Sequence, residues 1–131
     1  MPGEKNLESL IKHMSPCLND GEYVFCHVIN NSKINREDLI CEFKEKEGYT
    51  IVIEKSKADL YHLSYSYTAA WITLEIHSSL EAIGLTAKFS TELAKNNISC
   101  NVIAGYYHDH IFVAIQDGAK ALKVLKQMKQ Q

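Results

Sequence analysis

The sequence predicts an α+β fold of two β-α-β units, on three observations. Period-two apolar runs alternate with runs at helical spacing. Turn-forming residues punctuate them at short intervals. The order strand, helix, strand then occurs twice, once in each half of the 131-residue chain.

The first half opens on a short amphipathic helix, with Leu7, Leu10, Ile11 and Met14 on one face. Ser15-Pro16 ends it, because proline restricts the residue before it and donates no amide. Asn19-Asp20-Gly21 is a turn. Glu22 to Ile29 is a strand whose faces, Tyr23-Phe25-His27-Ile29 and Val24-Cys26-Val28, are both largely apolar, so it is expected to be covered on both sides. Leu39, Ile40 and Phe43 then suit the inner face of a helix over 36–46, stopped by Gly48. Tyr49 to Glu54 is a second strand, and Ser56 is placed to cap a single helical turn after it.

In the second half, Ala69 to His77 alternates Ile72, Leu74 and Ile76 against Trp71, Thr73, Glu75 and His77. A helix from about Leu85 to Asn96 is expected to bury Phe89, Leu93 and Ala94. Ile98 to Tyr107 is a strand, His108-Asp109 a tight turn and His110 to Ile115 the hairpin partner. Asp117 caps a last helix carrying Leu122, Leu125 and Met128. This β-α-β-β-α order is five elements of the six-element ferredoxin-like plan. The sixth strand must come from elsewhere, and the first half can supply it, so residues 67–131 are expected to be unstable alone.

Composition excludes several classes. Hydrophobic residues make up 46% and charged residues 23%, a globular balance, and no run approaches the ~18 apolar residues of a membrane span. A net charge of −2 gives no global attraction for nucleic acid or anionic lipid. Met1 to Leu10 lacks the basic-then-apolar pattern of a secretory signal, so the cytoplasm is the expected location. Cys17, Cys26, Cys41 and Cys100 form no CxxC pair and read as reduced, mostly buried thiols.

The most informative stretch runs from His77 to Val113. A loop holding Ser78, Ser79 and Gly84 leads into the helix starting at Leu85. Ser78 with Glu81 also fits a capping box, which would start the helix at Ser79 and leave Gly84 one turn inside it at a cost of about 1 kcal/mol. With the loop running through Gly84, the amides of the helix N-terminus face outward and suit a carboxylate. Gly84 serving only tight helix–strand packing is the competing reading.

The run from Trp71 to Ala87, continued by ISCNVIAGYYHDHIFV, resembles a family of small bacterial proteins built from two ACT-like modules. SPCLNDGEYVFCHV and FKEKEGYTIVIEKSKAD resemble that family's first module, so the similarity covers nearly the whole chain. The resemblance implies two interlocked ferredoxin-like βαββαβ modules, 1–66 and 67–131, with antiparallel sheets, helices on one face, and the second module completed by a strand from the first. It also implies binding of a small ligand, typically an amino acid, where a module's first strand meets its first helix, often across a module or subunit interface. Carried onto this chain, that loop is His77, Ser78, Ser79, Leu80 and Gly84-Leu85-Thr86; the amides near Gly84, Leu85 and Thr86 are expected to hold a carboxylate, and Ser78, Ser79, Asn101 or His108 to contact the rest of the ligand. ACT domains commonly have an Asp and a Pro-Gly before the helix; this chain has the glycine, Gly84, but lacks that Asp and that Pro. No catalytic domain accompanies the modules, so the resemblance implies a free-standing regulator, a homo-oligomer acting on a separate partner.

Other constellations are less specific. His108-Asp109-His110 admits three readings: with Cys100 a zinc site, the rim of a ligand pocket, or turn and sheet packing. A Cys–His nucleophile needs an exposed, acidified thiol, and Cys26 and Cys100 lie within apolar strands. No serine elbow, P-loop or dinucleotide fingerprint is present, so neither a catalytic residue nor a cofactor is expected, and no metal site is assigned. Lys120, Lys123, Lys126 and Lys129 read as a solvated stripe that suits the helix C-terminus, not as a nucleic-acid surface. Trp71, Tyr106, Tyr107 and Phe112 would form an interface if they share the open sheet face. The function expected first is reversible amino-acid binding by a regulatory protein. The alternative is an interaction or dimerisation module without a physiological ligand.

Overall fold

The computed structural model describes residues 6–75 and 80–130. In chain order the elements are α1 (Leu7–His13), β1 (Ser15–Leu18), β2 (Tyr23–Val28), a 3-10 turn at Arg36–Asp38, β3 (Leu39–Glu45), β4 (Gly48–Glu54), α2 (Lys55–Leu60) and β5 (Thr68–Glu75). They continue with α3 (Leu85–Lys95), β6 (Asn101–Ala104), β7 (Asp109–Ala114), a 3-10 turn at Ile115–Asp117 and α4 (Gly118–Met128). Two compact units result. Unit 1 comprises 1–20 and 70–131, and unit 2 comprises 21–69. The compact units therefore divide at different points from the expected modules 1–66 and 67–131.

In unit 2 the strands run in the order β3, β4, β2, with Ala69 and Thr68 of β5 beside Tyr23 and Val24. The apolar core gathers Val24, Cys26, Ile34, Ile51, Ile53 and Ala58. On β2 only Val24, Cys26 and Val28 face this core, whereas His27 is exposed and Phe25 half-buried. On that second face Tyr23 is buried, so the expected cover on both faces is present at the start of the strand and is lost toward His27.

The expected helix over 36–46 is also corrected, since only Arg36–Asp38 coil before β3 begins. Asn35 caps that single turn by accepting from the Glu37 amide. The Tyr61 hydroxyl accepts from the Asn35 amide and donates to Asp38, which pins the turn to α2. The chain beyond it, with Ile40, Cys41 and Phe43, has weak helix propensity. Extended, it satisfies the outer backbone groups of β4, and a two-residue turn at 46–47 returns it. Gly48, expected to stop a helix, is the residue that allows the return, at φ +139°. Ser56 does not cap α2; its hydroxyl donates to Glu54, which occupies the cap position.

In unit 1 the order is β6, β7, β5, with β1 antiparallel on the other side of β5 from Ser15↔Glu75 to Leu18↔Ile72. β1 was not expected from the sequence. It is a four-residue edge strand, where a proline such as Pro16 is tolerated. α1, α3 and α4 bury Leu10, Met14, Phe89, Leu93, Leu125 and Met128 in one core with Ile72, Leu74, Ile111 and Val113 of the sheet. Ala94, expected inside, is exposed. The hairpin turn lies at 105–108, closed by the Gly105 amide donating to the His108 carbonyl at 2.9 Å, so Asp109 is a buried strand residue and not a turn residue. Asp117 holds the cap position of α4 but makes no side-chain cap bond. Of the four free thiols only Cys26 is buried, while Cys17 is exposed.

Candidate functional site

α3 starts where the helix reading through Leu85 placed it. Gly84 is its N-cap, in the left-handed region at φ 94°, ψ −11°, with no side-chain cap bond. The first intrahelical bond runs from the Lys88 amide to the Gly84 carbonyl at 2.9 Å, so the amides of Leu85, Thr86 and Ala87 precede it and lack intrahelical acceptors. The first turn carries no acidic residue. Thr86 is exposed and Leu85 turns its side chain into the core. These amides, with the positive end of the helix dipole, form a donor set for an anionic oxygen. Ser78 and Ser79 lie outside the described residues.

The remaining site residues separate. Trp71 meets Phe112, and Thr73 meets His110, so β5 and β7 run antiparallel. β7 therefore begins at the end of the sheet where β5 ends and α3 starts, which puts His108 at that end. Its Nδ1 is buried and has no hydrogen-bond partner among the described residues. Asn101 is not brought there. It pairs with Phe112 at the far end of β6, roughly 10 Å from the hairpin turn at ~3.3 Å per residue. It also shares the face of Phe112, opposite to Ile111 and Val113, which pack on the helices.

That face carries a polar network the sequence reading did not find. The Trp71 indole N–H donates to His110 Nδ1 at 3.0 Å, and the Thr73 hydroxyl lies 3.3 Å from the same nitrogen. Asn19 Nδ2 donates to Thr73 Oγ1 at 3.0 Å and to the Trp71 carbonyl at 3.1 Å. Trp71 stacks on Phe112 with ring centroids 6.0 Å apart. Alternation along β5 and β7 was the available signal for the shared face; the pairing across strands, 39 residues apart, was not. An indole donor requires a lone pair on Nδ1, so the imidazole proton sits on Nε2. In this arrangement His110 has no lone pair to give a metal. Among the described residues no group of three His, Cys, Asp or Glu is placed to hold one. Burial pushes the Cys100 thiol up to about 11 and also raises Cys26, the reverse of what a nucleophile needs.

Burial holds His110 below the ordinary imidazole pKa, helped by neighbouring His108 and opposed by Asp109. The unfolded chain thus takes up the proton more readily than the folded one. The stability this adds is complete above about pH 6.5 and is lost as pH falls through the folded-state value. Melting temperature is expected to drop on acidification below about pH 6.5, with a change in fluorescence from Trp71, the one tryptophan. In His110→Asn, whose carbonyl can still accept from the indole, the drop should shrink; an unchanged pH profile would assign the titration to another group.

A concavity in unit 1, about 580 Å³, lies between α1, α3 and the end of α4 and is lined by Ile11, Lys12, Lys88, Met128 and Lys129. Lys12 stands in the last turn of α1 and Lys129 at the C-cap of α4, where cations offset helix carbonyls. Lys88 contacts Glu92 at 3.7 Å.

A family model for the ACT domain matches residues 2–70, and a second ACT-domain model matches residues 66–127. Among solved structures, a Vibrio cholerae protein of unknown function, described as a possible transport protein, is similar at 47% identity with a TM-score of 0.85, over 96% of this chain and 98% of that one. An Agrobacterium tumefaciens protein superposes at TM-score 0.66 with 14% identity, covering 88% of this chain and 89% of its own. The regulatory subunit of aspartate kinase from Thermus thermophilus does so at 0.56 with 9% identity, covering 86% and 95%. At such identities the likeness shows the fold alone. No curated protein matches the sequence. The first match spans more than half of the chain and the second nearly all of the rest, so the protein belongs to the ACT-domain family and carries two ACT-type domains in tandem.

Proposed function

We propose that the protein is a non-catalytic regulator that binds a small carboxylate ligand, an amino acid, through tandem ACT-like modules at 1–66 and 67–131. The observation that carries this reading is the start of α3: behind a left-handed Gly84 stand three amides without intrahelical acceptors, and the cap residue itself offers no side-chain acceptor. His108, at the same end of the sheet with a buried unpartnered Nδ1, supports it, because such an atom costs about 1–3 kcal/mol unless something satisfies it. In the proposed complex the amides of Leu85, Thr86 and Ala87 hold the ligand carboxylate. Ser78, Ser79 and His108 contact the ammonium group or side chain. Occupancy is transmitted by different affinities for two arrangements of the protein.

The test is thermal unfolding against the twenty amino acids. A ligand at ~100 times its Kd adds about 2.7 kcal/mol and raises the melting temperature accordingly. Gly84 is a poor place to probe the site, because its φ is +94° and a Cβ would lie 3.2 Å from Leu7 Cδ2. Thr86→Glu is better. An exposed carboxylate in the first turn favours the helix by about 0.3–1 kcal/mol while competing with the ligand for the same amides. This variant should melt no lower than the parent yet lose the ligand-induced shift. A shift retained at full size would remove the α3 amides from the site.

A further inference from the structure

Lysine side chains from three helices border the concavity between α1, α3 and the end of α4. Lys12 comes from α1, Lys88 from α3 and Lys129 from the C-cap of α4. Glu8 is the only carboxylate lining it among the described residues. Ile11 and Met128 supply an apolar floor, with Met128 itself buried in the core. Gly84, Leu85 and Thr86 do not line this space, so it is separate from the open end of α3.

Helix stability accounts for only two of the three lysines. Lys12 and Lys129 stand at helix C-termini, where a cation meets the negative end of the dipole. Lys88 stands at the other kind of end. Its amide makes the first intrahelical bond of α3, and helical side chains lean toward the N-terminus, so its charge is carried toward the positive end of the dipole. Glu92 offsets this weakly. It lies 3.7 Å away with the lysine on the N-terminal side, the less favourable order, and it is shared with Lys95 at 3.4 Å. Lys12 and Lys129 have no ion-pair partner among the described residues. Cations gathered around one space repel one another and raise the local concentration of anions. A local rule broken in this way marks a functional site more often than a structural one.

The lining also defines the anion. Three ammonium groups and one carboxylate leave a balance of two positive charges. A phosphate monoester matches it, carrying about −1.5 to −2 at pH 7. Lysine meets phosphate as a point charge and needs no fixed angle, which fits ammonium groups on flexible stems. At about 580 Å³ the space exceeds what phosphate alone would fill and falls within the range of small-molecule pockets, ~300–1,000 Å³. The remainder of the ligand meets Ile11 and Met128, so it is apolar.

We propose that this cavity binds a small organic phosphate, a phosphate monoester with an apolar arm. Lys12, Lys88 and Lys129 hold the phosphate, and Ile11 and Met128 pack against the arm. The site does not depend on the carboxylate reading of the α3 amides.

Amide NMR of the full chain titrated with hexyl phosphate tests this. Saturable shifts should appear around Ile11, Lys12, Lys88 and Lys129, with a Kd below about 1 mM. Inorganic phosphate has the charge without the arm, and hexanoate has an arm with a single charge. Each should bind at least about tenfold more weakly. Lys12→Gln, Lys88→Gln and Lys129→Gln should each raise the Kd about two- to fivefold, the range for partly exposed charges, and Glu8→Gln should lower it. Lys123→Gln removes the same charge from the exposed side of α4, outside the cavity, and should leave the Kd unchanged. Shifts centred on Leu85, Thr86 and Ala87, an equal loss in Lys123→Gln, or hexyl phosphate binding no tighter than inorganic phosphate would each overturn the proposal. So would capture by phosphatidic acid vesicles without a response to hexyl phosphate, which would make the ligand a lipid surface.

Discussion

A chain beginning at residue 67 is expected not to fold, although it contains every element of the second β-α-β-β-α run. What it lacks is α1 and β1. Leu10 of α1 and Met14 at its C-cap are fully buried, in the same cluster as Leu85, Phe89, Leu93 and Leu125. Removing side chains of this kind costs about 2–5 kcal/mol each even when the backbone stays. Two of them equal much of the roughly 5–15 kcal/mol by which a domain is stable. Without β1, moreover, β5 loses its partner from Ile72 to Glu75, and the backbone groups that faced 15–18 become a free edge. Circular dichroism and amide dispersion should show the 67–131 fragment unfolded or aggregated. A synthetic peptide of residues 1–20 should restore structure, because it supplies both the missing strand and the missing core side chains. A fragment that unfolds cooperatively on its own would mean that β1 and α1 decorate unit 1 and do not complete it. Met14→Ala in the full chain gives the graded version, a loss of about 2–5 kcal/mol.

The same contrast between local and distant partners separates what the sequence revealed from what it hid. β5, α3 and α4 were legible because their large apolar residues are periodic in sequence: Ile72 and Leu74 on a strand, Phe89 and Leu93 on a helix. The start of α3 was legible because glycine is the residue that takes a left-handed cap without strain. β1 was hidden because it is four residues long, contains a proline, and pairs with residues sixty positions away at its first bond, Ser15 to Glu75. β3 was misread because Leu39, Ile40 and Phe43 fall at helical spacing by coincidence, while the unpaired edge of β4 that draws them into a strand is a tertiary fact. In the site, Asn101 could have been set aside in advance. A side chain beside Phe112 cannot share the face of Ile111. The bond from Trp71 to His110 had no comparable local signal.

Gly48→Ala is expected to be among the most damaging single-atom changes in unit 2, and a second glycine shows why. Gly21 and Gly48 both have positive φ, +103° and +139°, so alanine is strained at either. At Gly21 a Cβ would meet the Tyr23 hydroxyl at 3.3 Å, the far end of a side chain that can yield by a few tenths of an ångström. The cost there is the conformational strain alone, about 1–2 kcal/mol. At Gly48 a Cβ would lie 2.5 Å from the Val28 carbonyl oxygen and 2.9 Å from His27 Nε2. Val28 is the last residue of β2 and is paired to Tyr49, so its carbonyl moves only if the β2–β4 ladder moves with it. The imidazole is no freer, because its Nε2 is hydrogen-bonded to the Glu47 carbonyl at 2.9 Å. Gly48→Ala should therefore cost the same strain plus a backbone collision, about 3–4 kcal/mol or more in all. Denaturant unfolding of the two variants side by side reads the difference, with the midpoint falling further for Gly48→Ala at similar slope. Equal losses would show that the β3–β4 turn relaxes away from Val28 without cost.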